Sequence, residues 1–181
     1  MEDIALEVNA GAYPVLRLLG RGKGGYSYLV DGGGGRQLVC KQIHHEPCAY
    51  YQFGDKLASE LGDYHKLQEL GVPLPELLET DRARERILKE YIPGETVYGL
   101  VLSGALPPWC LEQVRTISAL LRPAGLNIDW FPTNFIPWQG RLYYIDYECN
   151  PYSEQWDFEH WGIRYWSRTP EFLRHVQEQT P

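Results

Sequence analysis

Basic residues are in short supply in this chain, with 17 Lys and Arg against 24 Asp and Glu and a formal net charge of -7. A general nucleic-acid binder needs a basic face to release counterions from phosphates, so this balance argues against one. It leaves room for a local basic pocket around one small polyphosphate. Cysteine is sparse as well. The four cysteines, Cys40, Cys48, Cys110 and Cys149, form no Cys-x-x-Cys pair. Neither a zinc site nor a disulfide framework is expected, and reduced thiols of the cytoplasm are the default. No uncharged apolar run approaches the length that spans a bilayer, so no membrane partner is expected. The start, Met-Glu-Asp-Ile, lacks the basic and apolar stretches of a secretory signal. Internal repeats are missing too, and low complexity is confined to residues 32–35.

What remains is ordinary in bulk and unusual in its aromatics. A length of 181 residues suits one domain, or two small lobes sharing a cleft. Apolar residues make up 44% and charged residues 23%, as in a globular protein. The 13 tyrosines and 6 tryptophans are a heavy load. Many follow residue 126, where they read as core of the second half.

Along the chain, residues 15–19, 26–30 and 37–43 are aromatic and β-branched runs bounded by glycines, which predicts three antiparallel strands. The first two are joined through Gly20-Arg-Gly22-Lys23-Gly24-Gly25, a Gly-x-Gly-x-x-Gly match at Gly20, Gly22 and Gly25. Glycines let a backbone approach phosphate closely with its N–H groups aimed at the oxygens. A dinucleotide fold needs a helix directly after such glycines, whereas a strand follows here. Strand–loop–strand is the arrangement that covers ATP phosphates in protein kinases. Lys41 shares a strand face with Val39, in reach of phosphates, though a strand lysine with a solvated head has the same pattern. Residues 53–70 carry helical periodicity, closed by Gly71, Pro73 and Pro75. Glu60 lies beside that apolar stripe and could pair with Lys41, with Glu69 as the alternative. Further strands are expected near residues 74–78 and at 86–92, then a boundary at Pro93-Gly94, dividing the chain into 1–92 and 93–181.

Beyond that boundary, residues 109–121 predict a helix, 135–136 and 142–145 a strand pair, 152–166 a helix, and Thr169-Pro170 the cap of a last helix. Asp129 and Asn134 precede the strand pair, and Asp146 follows it. A hairpin would bring Asn134 and Asp146 to one end of the ribbon, where both could ligate one hard cation. Mg²⁺ is usually held by one or two carboxylates plus substrate phosphates. Asn and Asp also favour turns, so these residues could equally cap their loops.

In order, a glycine loop, a strand lysine, a helix glutamate, Glu90-Tyr-Ile92-Pro-Gly, Asp-x₄-Asn and a further Asp resemble the protein-kinase-like superfamily, with its aminoglycoside and choline phosphotransferases and its small RIO-type kinases. The resemblance covers residues 16–157. It implies an α+β, two-lobed fold: an antiparallel-sheet N-lobe with one helix, then a reduced, mainly helical C-lobe, with ATP and Mg²⁺ in the cleft. Gly20, Gly22, Lys23 and Gly25 would cover the phosphates, while Lys41 would hold them and pair with Glu60. Backbone groups of Glu90 and Ile92 would meet adenine. Asp129 would take the acceptor's proton, Asn134 and Asp146 would ligate Mg²⁺, and Asp157 would brace the catalytic loop. The departures are Asn127 where kinases carry His, Phe131 where a polar residue is usual, Ser27 for the roof Val, and Asp146-Tyr-Glu148 for Asp-Phe-Gly. Lys89 stands at the gatekeeper position, where it must be paired or neutral unless the strand is offset by one residue. With little helical insert and little helix after Asp146, no dedicated small-acceptor pocket is expected and the acceptor implied is a protein Ser/Thr hydroxyl; the lack of an activation segment implies no regulation by ordering of such a segment. A small-molecule kinase and a nucleotide-binding pseudokinase are the alternatives.

Overall fold

Six strands form one antiparallel sheet in the first half of the chain: β1 (Ala5–Val8), β2 (Gly11–Arg21), β3 (Gly25–Asp31), β4 (Gln37–Ile43), β5 (Leu77–Asp81) and β6 (Arg86–Glu90). This is a computed structural model, and it describes residues 4–47 and 54–180. The strands run in the order β1-β2-β3-β4-β6-β5. Helix α1 (Lys56–Glu69) lies between β4 and β5 in sequence. The start of the expected helix at Phe53 lies outside the described residues. The chain divides into two compact units, Met1–Gly62 with Pro75–Tyr91, and Asp63–Leu74 with Ile92–Pro181, so the division falls within α1.

β1 is absent from the sequence reading, and it lets the sheet curl. One sheet face gathers Val8, Val30, Leu38, Cys40 and Leu88 into a core. Side chains then tie the two edges together. The Asn9 N–H donates to Asp81 Oδ2 at 2.8 Å, and Arg84 reaches Glu7 at 2.7 Å. Arg86 donates to the Glu7 carbonyl at 2.6 Å. The hydrogen bonds from the Asn9 and Arg84 backbone, followed by the Arg84 guanidinium, hold the Asp81 carboxyl below its ordinary value.

Two glycine stretches are dictated by geometry. Gly33, Gly34 and Gly35 all have φ between 61° and 80° in the β3–β4 turn, a region that side chains rarely adopt. Gly25 has an extended backbone, but a Cβ there would overlap the Gln42 carbonyl of β4. A Gly25→Ala variant is therefore expected to lose about 1–3 kcal/mol of stability, the usual cost of overpacking. Urea unfolding checks this, and an unchanged midpoint would show that β3 and β4 can part at that point.

The second unit combines α2 (Val97–Ser103), α3 (Trp109–Leu121), β7 (Leu126–Asn127), β8 (Phe135–Trp138), β9 (Arg141–Tyr144), β10 (Asn150–Pro151) and α4 (Pro170–Gln179). The strands form two small antiparallel pairs, β7 with β10 and β8 with β9. α2 was not anticipated; Thr96 caps it by accepting from the Gly99 N–H at 3.2 Å. α4 starts as expected, with Thr169 accepting from the Phe172 N–H at 3.1 Å. The helix expected over 152–166 is instead two 3₁₀ turns, Glu154–Trp156 and Gly162–Tyr165. Close packing explains part of this, because Gly162 sits where a Cβ would come 2.6 Å from that of Trp130. The core centres on Trp130, Trp166, Phe135, Phe158 and Phe172, with Tyr144. The β8–β9 turn is set by Gln139 and Gly140, with φ of 48° and 77°, the backbone that a two-residue hairpin favours. Gln113 of α3 clamps it, donating to the Gly140 carbonyl at 2.8 Å and accepting from the Leu142 N–H at 2.7 Å.

Candidate functional site

In the first unit, the register aligns Ser27 with Lys41 and Lys41 with Ile87. Lys41 is therefore on the same sheet face as Val39 and Ile87. From that face its ammonium meets the Glu60 carboxylate of α1 at 2.7 Å. Both side chains are largely withdrawn from water, at 13% and 10% exposure. A pair this sheltered holds its geometry, and removing one partner strands the other at a cost of about 3–5 kcal/mol. Among the two glutamates considered, the structure brings Glu60 to the lysine.

The loop over this face is short. β2 and β3 are closed by the Gly22 N–H donating to the Gly25 carbonyl at 2.9 Å. A Cβ on Gly20 would meet nothing within 4 Å, and one on Gly22 nothing nearer than 3.8 Å. At Gly24 it would lie 3.8 Å from Lys41 Nζ, so the loop backbone passes directly by the ammonium. Lys23 is exposed at the tip. At the other end of the sheet, the Glu90 N–H donates to the Glu76 carbonyl at 2.9 Å. Ile92, in the second unit, is buried at 3% exposure. Lys89 faces the same side as Lys41, opposite Val39, and is buried at 5% exposure. The strand is not offset: Leu88 packs in the core of the other face.

In the second unit, the hairpin places Asn134 and Asp146 at one end, where the Ile145 N–H donates to the Asn134 carbonyl at 2.9 Å. The Asn134 amide donates to the Asp129 carbonyl at 3.3 Å, tying the loop that carries both residues. The Asp129 carboxylate, exposed, accepts from the Phe131 N–H at 3.0 Å. Acidic charge converges here. The buried Tyr144 hydroxyl is held well above its ordinary pKa, first by burial and then by Asp146, Asp129 and Glu148. No three His, Cys, Asp or Glu side chains form a metal cluster among the described residues. The side chains of Asn134 and Asp146 are of the oxygen-donor type that a hard cation takes together with phosphates and water.

The departures from the kinase pattern find structural reasons. Asn127 is buried, donates to the Trp156 carbonyl at 2.9 Å and accepts from the Trp130 indole at 2.6 Å. It thus ties the Asp129 segment to the turn at Glu154–Trp156, the bracing expected of Asp157. Asp157 instead holds its own turn, accepting from the His160 N–H at 2.8 Å and the Tyr152 hydroxyl at 2.9 Å. Phe131 is anchored among aromatic rings, 4.9 Å from His175 and 5.3 Å from Tyr165.

One feature was missed. A pocket of about 300 Å³ is lined by Asp129, Asn127, Asn150, Ser153, Trp156 and Trp161 among others. The two indoles meet edge to face at 5.9 Å, and Trp156 is 50% exposed. The sequence reading treated such late aromatics as core, which Trp130 and Trp166 are and Trp156 is not. A Trp flanked by the polar Gln155 and Asp157 was the available signal.

No helix among the described residues is long and apolar enough to cross a membrane. No protein-family model matches the chain, and no curated protein matches it significantly.

Proposed function

We propose that this chain is an ATP-dependent phosphotransferase, built on the two-lobed protein-kinase-like plan, that moves the γ-phosphoryl group to a hydroxyl. The Lys41–Glu60 pair carries the reading: a strand lysine meets a helix glutamate at 2.7 Å beside a glycine turn between two antiparallel strands. Protein kinases use a glycine-rich loop over the phosphates and a strand lysine paired with a helix glutamate.

In this reading Lys41 neutralises phosphate charge, and Glu60 keeps the ammonium aimed. The acceptor oxygen bonds to the γ-phosphorus as its proton passes to Asp129. The bond from phosphorus to the β–γ bridging oxygen breaks, and ADP leaves with that electron pair. Asn134 and Asp146 would hold Mg²⁺, which supplies charge neutralisation at the phosphates. Positioning and electrostatics provide most of the rate in such sites.

The acceptor is first a Ser or Thr hydroxyl of a protein, for which the short helical insert before Asp129 argues. The pocket beside Asp129 favours a second reading, a small alcohol. It is at the lower end of ligand-pocket volumes, and its lining holds a carboxylate and no basic side chain, which disfavours anionic acceptors.

The test is incubation of the pure protein with γ-labelled ATP and Mg²⁺, beside an Asp146→Ala variant. Label on the wild-type protein alone supports a kinase with a protein acceptor. Mg-dependent thermal stabilisation by ATP without label leaves the small-molecule kinase or a nucleotide-binding pseudokinase. If ATP neither labels nor stabilises the protein, the proposal fails. Asp146→Ala is expected to remove the Mg-dependent part of the stabilisation while keeping the unfolding temperature without ligand.

A further inference from the structure

The segment that follows β4 returns to the glycine loop and grips it. The His44 N–H donates to the Gly24 carbonyl at 3.4 Å, and its ring Nε2 lies 3.0 Å from the Gly22 carbonyl. A carbonyl can only accept, so Nε2 carries the hydrogen. The other ring nitrogen, Nδ1, accepts from the Glu46 N–H at 3.2 Å. Glu46 in turn holds both stems of the loop. It binds Arg21 at the end of β2 at 2.6 Å and accepts a short hydrogen bond from the Tyr26 hydroxyl on β3. Those bonds, Tyr26 first and Arg21 second, keep the Glu46 carboxyl below its ordinary value.

The clasp is itself anchored. Lys56, buried at 4% exposure, donates from Nζ to the His44 carbonyl at 2.6 Å. His45 meets Glu85 at 2.6 Å, and the Ile43 N–H donates to the Glu85 carbonyl at 3.0 Å. The Tyr26 ring lies 5.1 Å from that of His44. The loop is thus held at its two stems and at two of its carbonyls.

This matters for an anion. Carbonyl oxygens repel phosphate oxygens, whereas backbone N–H groups bind them. In a trans peptide plane the C=O and the following N–H point opposite ways. Drawing the Gly22 carbonyl toward His44 therefore turns the Lys23 N–H away from His44. We infer that His44 is a positioning residue that presets the glycine loop for phosphate, with Lys56 and Glu46 holding it in place. The ligand half of this inference rests on the phosphotransferase reading; the clasp does not.

The experiment compares wild type, His44→Ala and His44→Gln, the last keeping an N–H donor of similar reach. Amide hydrogen exchange is read without nucleotide, followed by the affinity for Mg·ATP and the split between KM and kcat. Exchange at residues 22–26 should quicken by roughly two- to tenfold in His44→Ala, the worth of one hydrogen bond. Amides of Val39 to Lys41 should stay protected, which shows that the sheet is intact. ATP binding should weaken by a similar factor, with KM rising more than kcat falls, and His44→Gln should recover most of both losses. Unchanged loop exchange in His44→Ala overturns the clasp. Quickened exchange with unaltered ATP affinity overturns the positioning role. Failure of the wild type to bind ATP overturns the phosphotransferase reading and the ligand half with it, while exchange still decides the clasp.

Discussion

Asp129→Ala should bind Mg·ATP as the wild type does and lose about 10²–10⁴-fold in transfer rate, the range for removal of a positioned general base. Three features of the structure support so selective an effect. The carboxylate is exposed, so its removal opens no cavity. It accepts a hydrogen bond from the nearby Phe131 N–H, a donor that solvent can satisfy instead. Asn134 donates to the Asp129 backbone carbonyl, which alanine retains. The Asn134 side chain should therefore keep its place, and with it the cation. The measurement is a single-turnover rate alongside an ATP titration. Normal transfer by Asp129→Ala would remove Asp129 as the base, and a parallel loss of ATP affinity would make it a binding residue instead.

Trp130→Ala should have the largest effect on stability, about 3–5 kcal/mol, as for other buried aromatics cut back to alanine. The indole is 1% exposed and packs 6.2 Å from the Phe135 ring and 5.7 Å from that of Phe158. Its N–H is the partner of the Asn127 amide oxygen, so truncation also leaves a buried acceptor without its donor. Trp130→Phe keeps most of the apolar surface and should recover the packing share alone. Urea unfolding of both variants separates the two contributions. A loss under about 1 kcal/mol in Trp130→Ala would mean that the core collapses into the space. Because Trp130 follows Asp129 directly, the folded fraction of the variant should also transfer phosphate slowly.

The sequence exposed β2, β3 and β4 through the glycine clusters between them and β6 through the Pro93-Gly94 that follows it, and hid β1. β1 is four residues long and is followed by Asn9, whose φ of 51° no simple pattern announces. α2 is seven residues with Gly99 inside it, too short for periodicity to register. Over 152–166, aromatic spacing imitated a helix, while local carbonyls and Gly162 produced separate turns. In the candidate site, Lys41 and Glu60 were legible because each lies on an element whose facing follows from periodicity. The functions of Asn127 and Phe131 were not, since both depend on partners about thirty or more residues away. His44 was hidden for a related reason. Only the register that sets Gly25 opposite Ile43 brings it back beside the loop.

The closure of the sheet also sets an order of events for a growing chain. β1 and β2 pair early, since Val8 and Gly11 are partners in a tight turn. The groups that complete the closure, Asp81, Arg84 and Arg86, come more than seventy residues later. Contacts so distant in sequence slow the search for the native state. Until they arrive, the outer side of β1 offers unpaired backbone groups to any neighbouring strand. A nascent chain released before Arg86 would keep that edge, and self-association during synthesis is the hazard this topology carries.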